Sequence, residues 1–178
     1  GVGAREAANE RGLRGAGAPG AVKGLGDRCQ VGLLIFPDAR NGNTFRELLP
    51  VSALAGNRAK LDGDISELTS HGGTPLYTTV GAAVAAMQSS SDPDRINAVV
   101  ILTDGQNQAA YDDLSGLLKQ LSDQAREESG VRVFTIAYGA DADKDTLGKI
   151  AAASRGAAYN ASNPATIDGV LTAVISNF

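Results

Sequence analysis

The chain has 178 residues, of which 43% are apolar and 20% charged, enough for a soluble domain whose core needs neither disulfides nor a structural metal. Its formal net charge of -4 supplies no field that would hold a phosphate backbone, so nucleic-acid binding loses its electrostatic basis. The longest apolar runs are only strand-length, so no membrane insertion is expected of this segment, and no leader of charged-then-apolar type is read at its start.

Residues 1–26 stand apart: they hold eight Gly and six Ala, with Val2, Leu13, Val22 and Leu25 as the only larger apolar residues. That composition sustains neither a helical nor an alternating period, so 1–26 is read as an atypical segment and 27–178 as the domain. The abundance of Gly and Ala with six Pro points to a GC-rich coding sequence and a bacterial source. Cys29, the single cysteine, stands beside Val31, Leu33 and Ile35 and reads as a small core residue, with no partner for a disulfide or a zinc site.

The regular signals begin there. Residues 29–36 form a buried-strand run ended by Pro37, and Asn41-Gly42 then offers the positive φ of a tight reversal into a second extended piece at 44–49. Residues 53–68 carry Leu54, Leu61, Ile65 and Leu68 at near-helical spacing, interrupted by Gly56 and Gly63, which predicts two short helical turns. The Ala-rich stretch 79–87 predicts a buried helix starting after Pro75 and stopped by the Ser-Ser-Ser-Asp-Pro run at 89–93. Residues 96–103 are nearly all β-branched or Leu, the habit of strands covered on both faces. A helix stripe follows at Leu114, Leu117, Leu118 and Leu121, then a strand at 131–138, a helix at 146–153, a short extended piece at 157–160 and a last helix at 165–176. Alternation of this length predicts an α/β fold: a doubly wound, mostly parallel sheet with helices on both faces and one antiparallel edge strand.

Two loops in this order carry chemistry. Gly72-Gly73-Thr74-Pro75 presents a hydroxyl from a Gly-rich turn, and Asp104 presents a carboxylate at the end of a buried strand, followed by Gly105. In open α/β sheets ligands bind beyond the carboxyl ends of the strands, where Asp104 falls. A hydroxyl and a carboxylate are hard oxygen donors of the kind Mg²⁺ or another divalent cation prefers. Thr74 and Asp104 are therefore the candidate metal ligands, with Gly73, Gly105 and Gln106 shaping the rim.

Gly26-Asp27-Arg28, Gly72-Gly73-Thr74-Pro75-Leu76, Leu102-Thr103-Asp104-Gly105 and Val133-Phe134-Thr135-Ile136-Ala137-Tyr138-Gly139 occur in that order. Together they resemble the von Willebrand factor type A domain over roughly residues 27–178. The resemblance implies a protein-binding module for adhesion or assembly, not an enzyme, with a metal-ion-dependent adhesion site. In that family the cation bridges two proteins, an acidic side chain of the partner completing its coordination; Thr74 and Asp104 match two of the ligand positions. The family's D-x-S-x-S run, at the end of a central first strand, is not found: no Ser or Asp precedes Asp27. Residues 1–26 read as an out-of-frame stretch replacing a normal helix, the alternative being that the strand lies upstream of Gly1. With one carboxylate and one hydroxyl the metal site is incomplete, and Mg²⁺ dehydrates reluctantly, so a chain without the cation is the alternative expectation. The setting expected for such a domain is extracytoplasmic.

Three other features take simpler readings. Gly15-Ala16-Gly17-Ala18-Pro19-Gly20 fits a dinucleotide fingerprint on paper, but no strand precedes it and Pro19 intervenes. Asp141, Asp143 and Asp145 imitate the start of a calcium loop, yet Thr146 and Ala152 stand where Gly and Glu are needed, which leaves solvated surface or a helix N-terminus. His71, the only histidine, has no nucleophile motif beside it. The competing functional readings are a nucleotide-dependent α/β enzyme using the Gly-rich N-terminus, and a scaffold of the same fold whose metal site has decayed.

Overall fold

In this computed structural model the described residues are 25–35, 46–66, 75–103, 106–107, 113–138, 141–161 and 166–175. The chain divides into two compact units, one from residues 1–72 together with 163–178, the other from 73–162. The α/β architecture is the expected one, built from a two-stranded antiparallel sheet, a three-stranded parallel sheet and helices.

In the first unit β1 (Gln30–Ile35) pairs antiparallel with β2 (Arg46–Ala53). The pairing expected from the hairpin pattern is present; the Asn41-Gly42 reversal lies outside the described residues. The strand read as ending at Leu49 instead runs on through Pro50 to Ala53. The register explains how: Val31 faces Ser52 but Leu33 faces Leu49, so β2 carries an extra residue where Pro50 stands. A bulge leaves one residue out of the ladder, which suits a residue with no N–H to give. Gly32 lies opposite, where a Cβ would come within 3.0 Å of Val51 Cγ2 and 3.1 Å of Leu49 O.

A turn over Gly56, at φ 84°, leads into α1 (Arg58–Ser66). This is one helix in place of the two expected turns; Gly63 stays helical. The buried Leu61 packs with Leu49 and Leu54 against Leu25, Val31 and Leu33, so burial outweighs the cost of a mid-helix glycine. Arg58 closes the start of the unit, donating from Nη2 to Leu25 O at 2.9 Å and pairing with Asp27 at 3.0 Å. Cys29 is half-buried and unbridged. α5 (Ile167–Ile175) belongs to this unit and buries Val174.

The second unit is the parallel one. Its strands are β3 (Ala98–Thr103), β4 (Arg132–Tyr138) and β5 (Ala158–Ala161), in that spatial order. α2 (Leu76–Ser89) precedes β3, α3 (Leu114–Gln124) leads into β4, and α4 (Lys144–Ala153) into β5. On α2 the buried positions are Leu76, Thr79, Val80, Ala83 and Val84, one stripe, with Ala85 exposed. The expected all-round burial thus reduces to one face, because alanine is cheap to leave in water. β4 is buried along Val133, Phe134, Thr135, Ile136 and Ala137. β3 is not equally covered: Ile101 and Thr103 are buried while Val100, pointing to the opposite face, is 43% exposed, and Ile96 lies ahead of the strand at 48%. Among the described residues β3 has a single neighbouring strand, β4, which fits this departure from burial on both faces.

Polar groups close this unit tightly. Gln124 is buried and exchanges two bonds with the backbone of Val131, donating to its carbonyl at 2.6 Å and accepting from its N–H at 2.7 Å. Ser154 Oγ accepts from Val133 N at 2.8 Å, and Thr135 Oγ1 donates to Leu147 O at 3.1 Å, fastening α4 to β4. At the start of α4 Asp143 is the N-cap, accepting from Thr146 N at 3.1 Å and from Thr146 Oγ1 at 2.7 Å. Its end is a left-handed turn at Arg155, φ 59°, after which Gly156 N returns to Ala151 O at 2.9 Å. A Cβ on Gly156 would collide with the Val133 carbonyl.

Gly148 has open space around it, so Gly148→Ala should raise stability by about 0.5–1 kcal/mol in urea unfolding, whereas Gly156→Ala should lower it by about 1–3 kcal/mol. The hydrogen bonds from Thr146 hold the Asp143 carboxyl below its ordinary value of 3.8. A depressed carboxylate stabilises the fold above its unfolded pKa and stops doing so as pH falls through the folded one. Asp143→Ala should therefore cost about 1 kcal/mol at pH 7, and the gap to wild type should close below about pH 4.

Candidate metal site at the sheet edge

The parallel strands β3, β4 and β5 all end on one edge, at Thr103, Tyr138 and Ala161. A helix joining parallel strands runs back against them, so its N-terminus starts from that same edge. Asp143 caps α4 there, and Asp113 occupies the corresponding position before α3.

Thr74 and Asp104, the candidate ligands, lie outside the described residues, as do His71, Gly73, Gly105 and the Gly15–Gly20 decoy. The residue after Thr74 and the residue before Asp104 are described. Asp104 follows Thr103, a 7% exposed residue at the end of β3. Thr74 precedes Pro75, which is buried and whose carbonyl accepts from Thr79 N at 3.2 Å and Thr79 Oγ1 at 2.8 Å. Pro75 occupies the N-cap of α2 without a side-chain cap bond.

The missing acceptor comes from the other loop. Leu76 N donates to Asn107 Oδ1 at 2.9 Å, across 31 residues of sequence. Leu76 is fully buried and Asn107 half-buried. Leu76 stands two residues after Thr74, and Asn107 three after Asp104. The bond therefore joins the two loops at the strand end where a ligand of an open α/β sheet binds. Asn107 was not singled out from sequence, because an Asn in a loop carries no mark of a backbone partner so remote. The only available hint was Pro75, a helix start with no acceptor of its own. Gln106, expected at the rim, is exposed.

Beside this edge an open groove of about 380 Å³ runs between α2 and α3, with Tyr77, Thr78 and Asp113 at its helix-start end. Gly81 allows the two helices to approach, since Gln120 Nε2 donates to its carbonyl at 3.1 Å. Among the described residues, no group of three or more His, Cys, Asp or Glu side chains is placed to hold a metal. The calcium-loop imitation resolves as expected for its central member: Asp143 serves a helix N-terminus. Thr74 and Asp104 suit a hard cation in kind, as hydroxyl and carboxylate, but two donors fall short of the six that Mg²⁺ takes. Among the described residues no helix is long and apolar enough to cross a membrane.

The family model of the von Willebrand factor type A domain matches residues 21–173. No curated protein matches the chain in sequence. Among solved structures the chain is similar to a von Willebrand factor type A protein from Catenulispora acidiphila, at 20% identity and a TM-score of 0.74, covering 96% of this chain and 37% of that one. It is also similar to proximal thread matrix protein 1 of the mussel byssus, whose structure has a zinc-occupied MIDAS motif, at 17% identity and a TM-score of 0.71, covering 98% and 44%. BatB from Bacteroides thetaiotaomicron matches at 15% identity and a TM-score of 0.69, covering 97% and 87%. The chain thus spans little more than a third of the Catenulispora chain and under half of the mussel one. At these identities the structures speak for the fold alone. Domains of the matched family are generally adhesion or assembly modules. A match running over so much of the sequence, on the architecture described above, establishes that the chain belongs to the von Willebrand factor type A domain family.

Proposed function

We propose that residues 27–178 form a protein-binding module of adhesion or assembly, without catalysis, that engages its partner at the carboxyl edge of the parallel sheet. Thr74 and Asp104 are the residues that would hold a divalent cation, Mg²⁺ or another, which would supply a Lewis-acid contact for an acidic side chain of the partner. The observation that carries this reading is the bond between Leu76 and Asn107, which ties the loop after Thr74 to the loop after Asp104. Two further facts support it. Helix N-termini gather at this edge, and their partial positive charge favours an incoming carboxylate. The mussel protein of the same fold holds zinc in its MIDAS motif.

The work falls to particular side chains. The Asp104 carboxylate supplies charge to the cation, and Thr74 a neutral oxygen that leaves the site able to attract a second carboxylate. The groove between α2 and α3 offers the partner a depression alongside. A second reading, a scaffold of the same fold that binds without metal, is favoured by the donor count, since Thr74 and Asp104 are two oxygens against the six that Mg²⁺ takes.

Titration calorimetry with Mg²⁺ and with Zn²⁺ separates the two. Binding should weaken by at least about tenfold in Asp104→Ala and by a smaller factor in Thr74→Val, since even outer partners of a metal site are worth about 10–100-fold. Metal binding left unchanged by Asp104→Ala would refute the metal reading. A wild-type domain giving no heat with either ion would favour the scaffold.

A further inference from the structure

We propose that Asn107 is a positioning residue of this site, whose side-chain carbonyl caps α2 from the opposite loop and thereby holds the two donor-bearing loops in register. The proposal rests on the reading that Thr74 and Asp104 share a cation, and it adds a residue outside the four motifs that carry the family resemblance.

The first N–H groups of a helix have no acceptor within the helix, and a side chain at the N-cap normally supplies one. Pro75 stands at that position in α2 and its ring offers no acceptor. Its carbonyl is already engaged by Thr79. Leu76, the next residue, is fully buried, so water does not readily serve its N–H. The acceptor arrives instead from Asn107 Oδ1, at 2.9 Å.

What makes this bond more than a local cap is where the two ends attach. Only Pro75 stands between Thr74 and Leu76, and its φ is locked by the ring. Only Gly105 and Gln106 stand between Asp104 and Asn107. A displacement of either loop is therefore felt through two or three residues at the other. Without the bond, the cation would have to draw together two loops that are independently anchored, one by α2 and one by β3. That ordering cost would be deducted from its affinity. Asn107 touches neither the cation nor the partner in this scheme; it acts through the backbone of Leu76.

The test measures Mg²⁺ affinity by calorimetry, and exchange of the Leu76 amide by NMR, in wild type, Asn107→Ala and Asn107→Asp. Asn107→Ala removes the acceptor; it should weaken Mg²⁺ about tenfold and speed exchange at Leu76, with the amides of α4 unchanged. Asn107→Asp keeps an acceptor, which a helix N-terminus tolerates well, and should restore both readouts. Faster exchange at Leu76 with undiminished affinity in Asn107→Ala overturns the positioning role and leaves the metal site standing. Absence of Mg²⁺ binding in the wild type overturns the metal reading and the positioning role together, while slow exchange at Leu76 would still report the cap. Should Asn107→Ala not fold, Asn107→Gln, which shifts the carbonyl by one methylene, is measured in its place with the same outcomes.

Discussion

Because a strand buried on both faces must satisfy every backbone group within the protein, β4 dictates much of what surrounds it. Its neighbours β3 and β5 take the ladder bonds on its two edges. The remaining demands at its N-terminal end are met by side chains. Gln124 serves both polar groups of Val131, and Ser154 takes the N–H of Val133. The return of the chain after α4 passes so close to Val133 that only a glycine fits at 156. Each of these contacts fixes a helix end relative to the sheet, and so fixes which loops emerge at its carboxyl edge.

The candidate site inherits its position from that arrangement. β3 brings Thr103, the residue before Asp104 in sequence, to the edge because its register with β4 runs unbroken from Ala98 to Thr103. α2, whose apolar stripe from Leu76 to Val84 is buried, starts at the same end, where Leu76 bonds Asn107. Apolar packing thus brings the loops near one another, but it is non-directional and tolerates shifts of the size that matter to a cation. Directional bonds remove that freedom, which is why the tie between Asn107 and Leu76 weighs more than its single hydrogen bond would in an exposed helix. β3 is less covered than β4: Val100 stands 43% exposed, whereas Val133, Phe134, Thr135, Ile136 and Ala137 are all buried.

Much of the architecture is legible in the sequence because its signals are local. The apolar runs at 96–103 and 131–138 and the Leu stripe of α3 announce themselves through composition and period, and the structure follows them within a residue or two. The motif order that carries the family resemblance is likewise local, and Thr74 and Asp104 stand out through the glycines beside them. What escapes sequence reading is whatever depends on a second, distant segment. The second extended piece reads as ending at Leu49, and only the pairing with β1 shows a bulge that carries the strand through Pro50. Gly63 reads as a break, until Leu61 is seen packing with Leu49 and Leu54. Asn107 reads as one loop residue among several, until its partner across 31 residues is known.

The central claim is that the loops carrying Thr74 and Asp104 share one cation at the carboxyl edge of the parallel sheet. Mn²⁺ takes the same octahedral oxygen coordination as Mg²⁺ and broadens the NMR signals of nearby nuclei, so it can report the place of binding directly. Titrated into the domain, it should broaden the amides of Leu76, Thr103, Gln106 and Asn107 first and leave those of Asp92, Asp94 and Arg95 sharp. Broadening that begins at Asp92 and Asp94, or spreads evenly over the exposed carboxylates, would contradict the account.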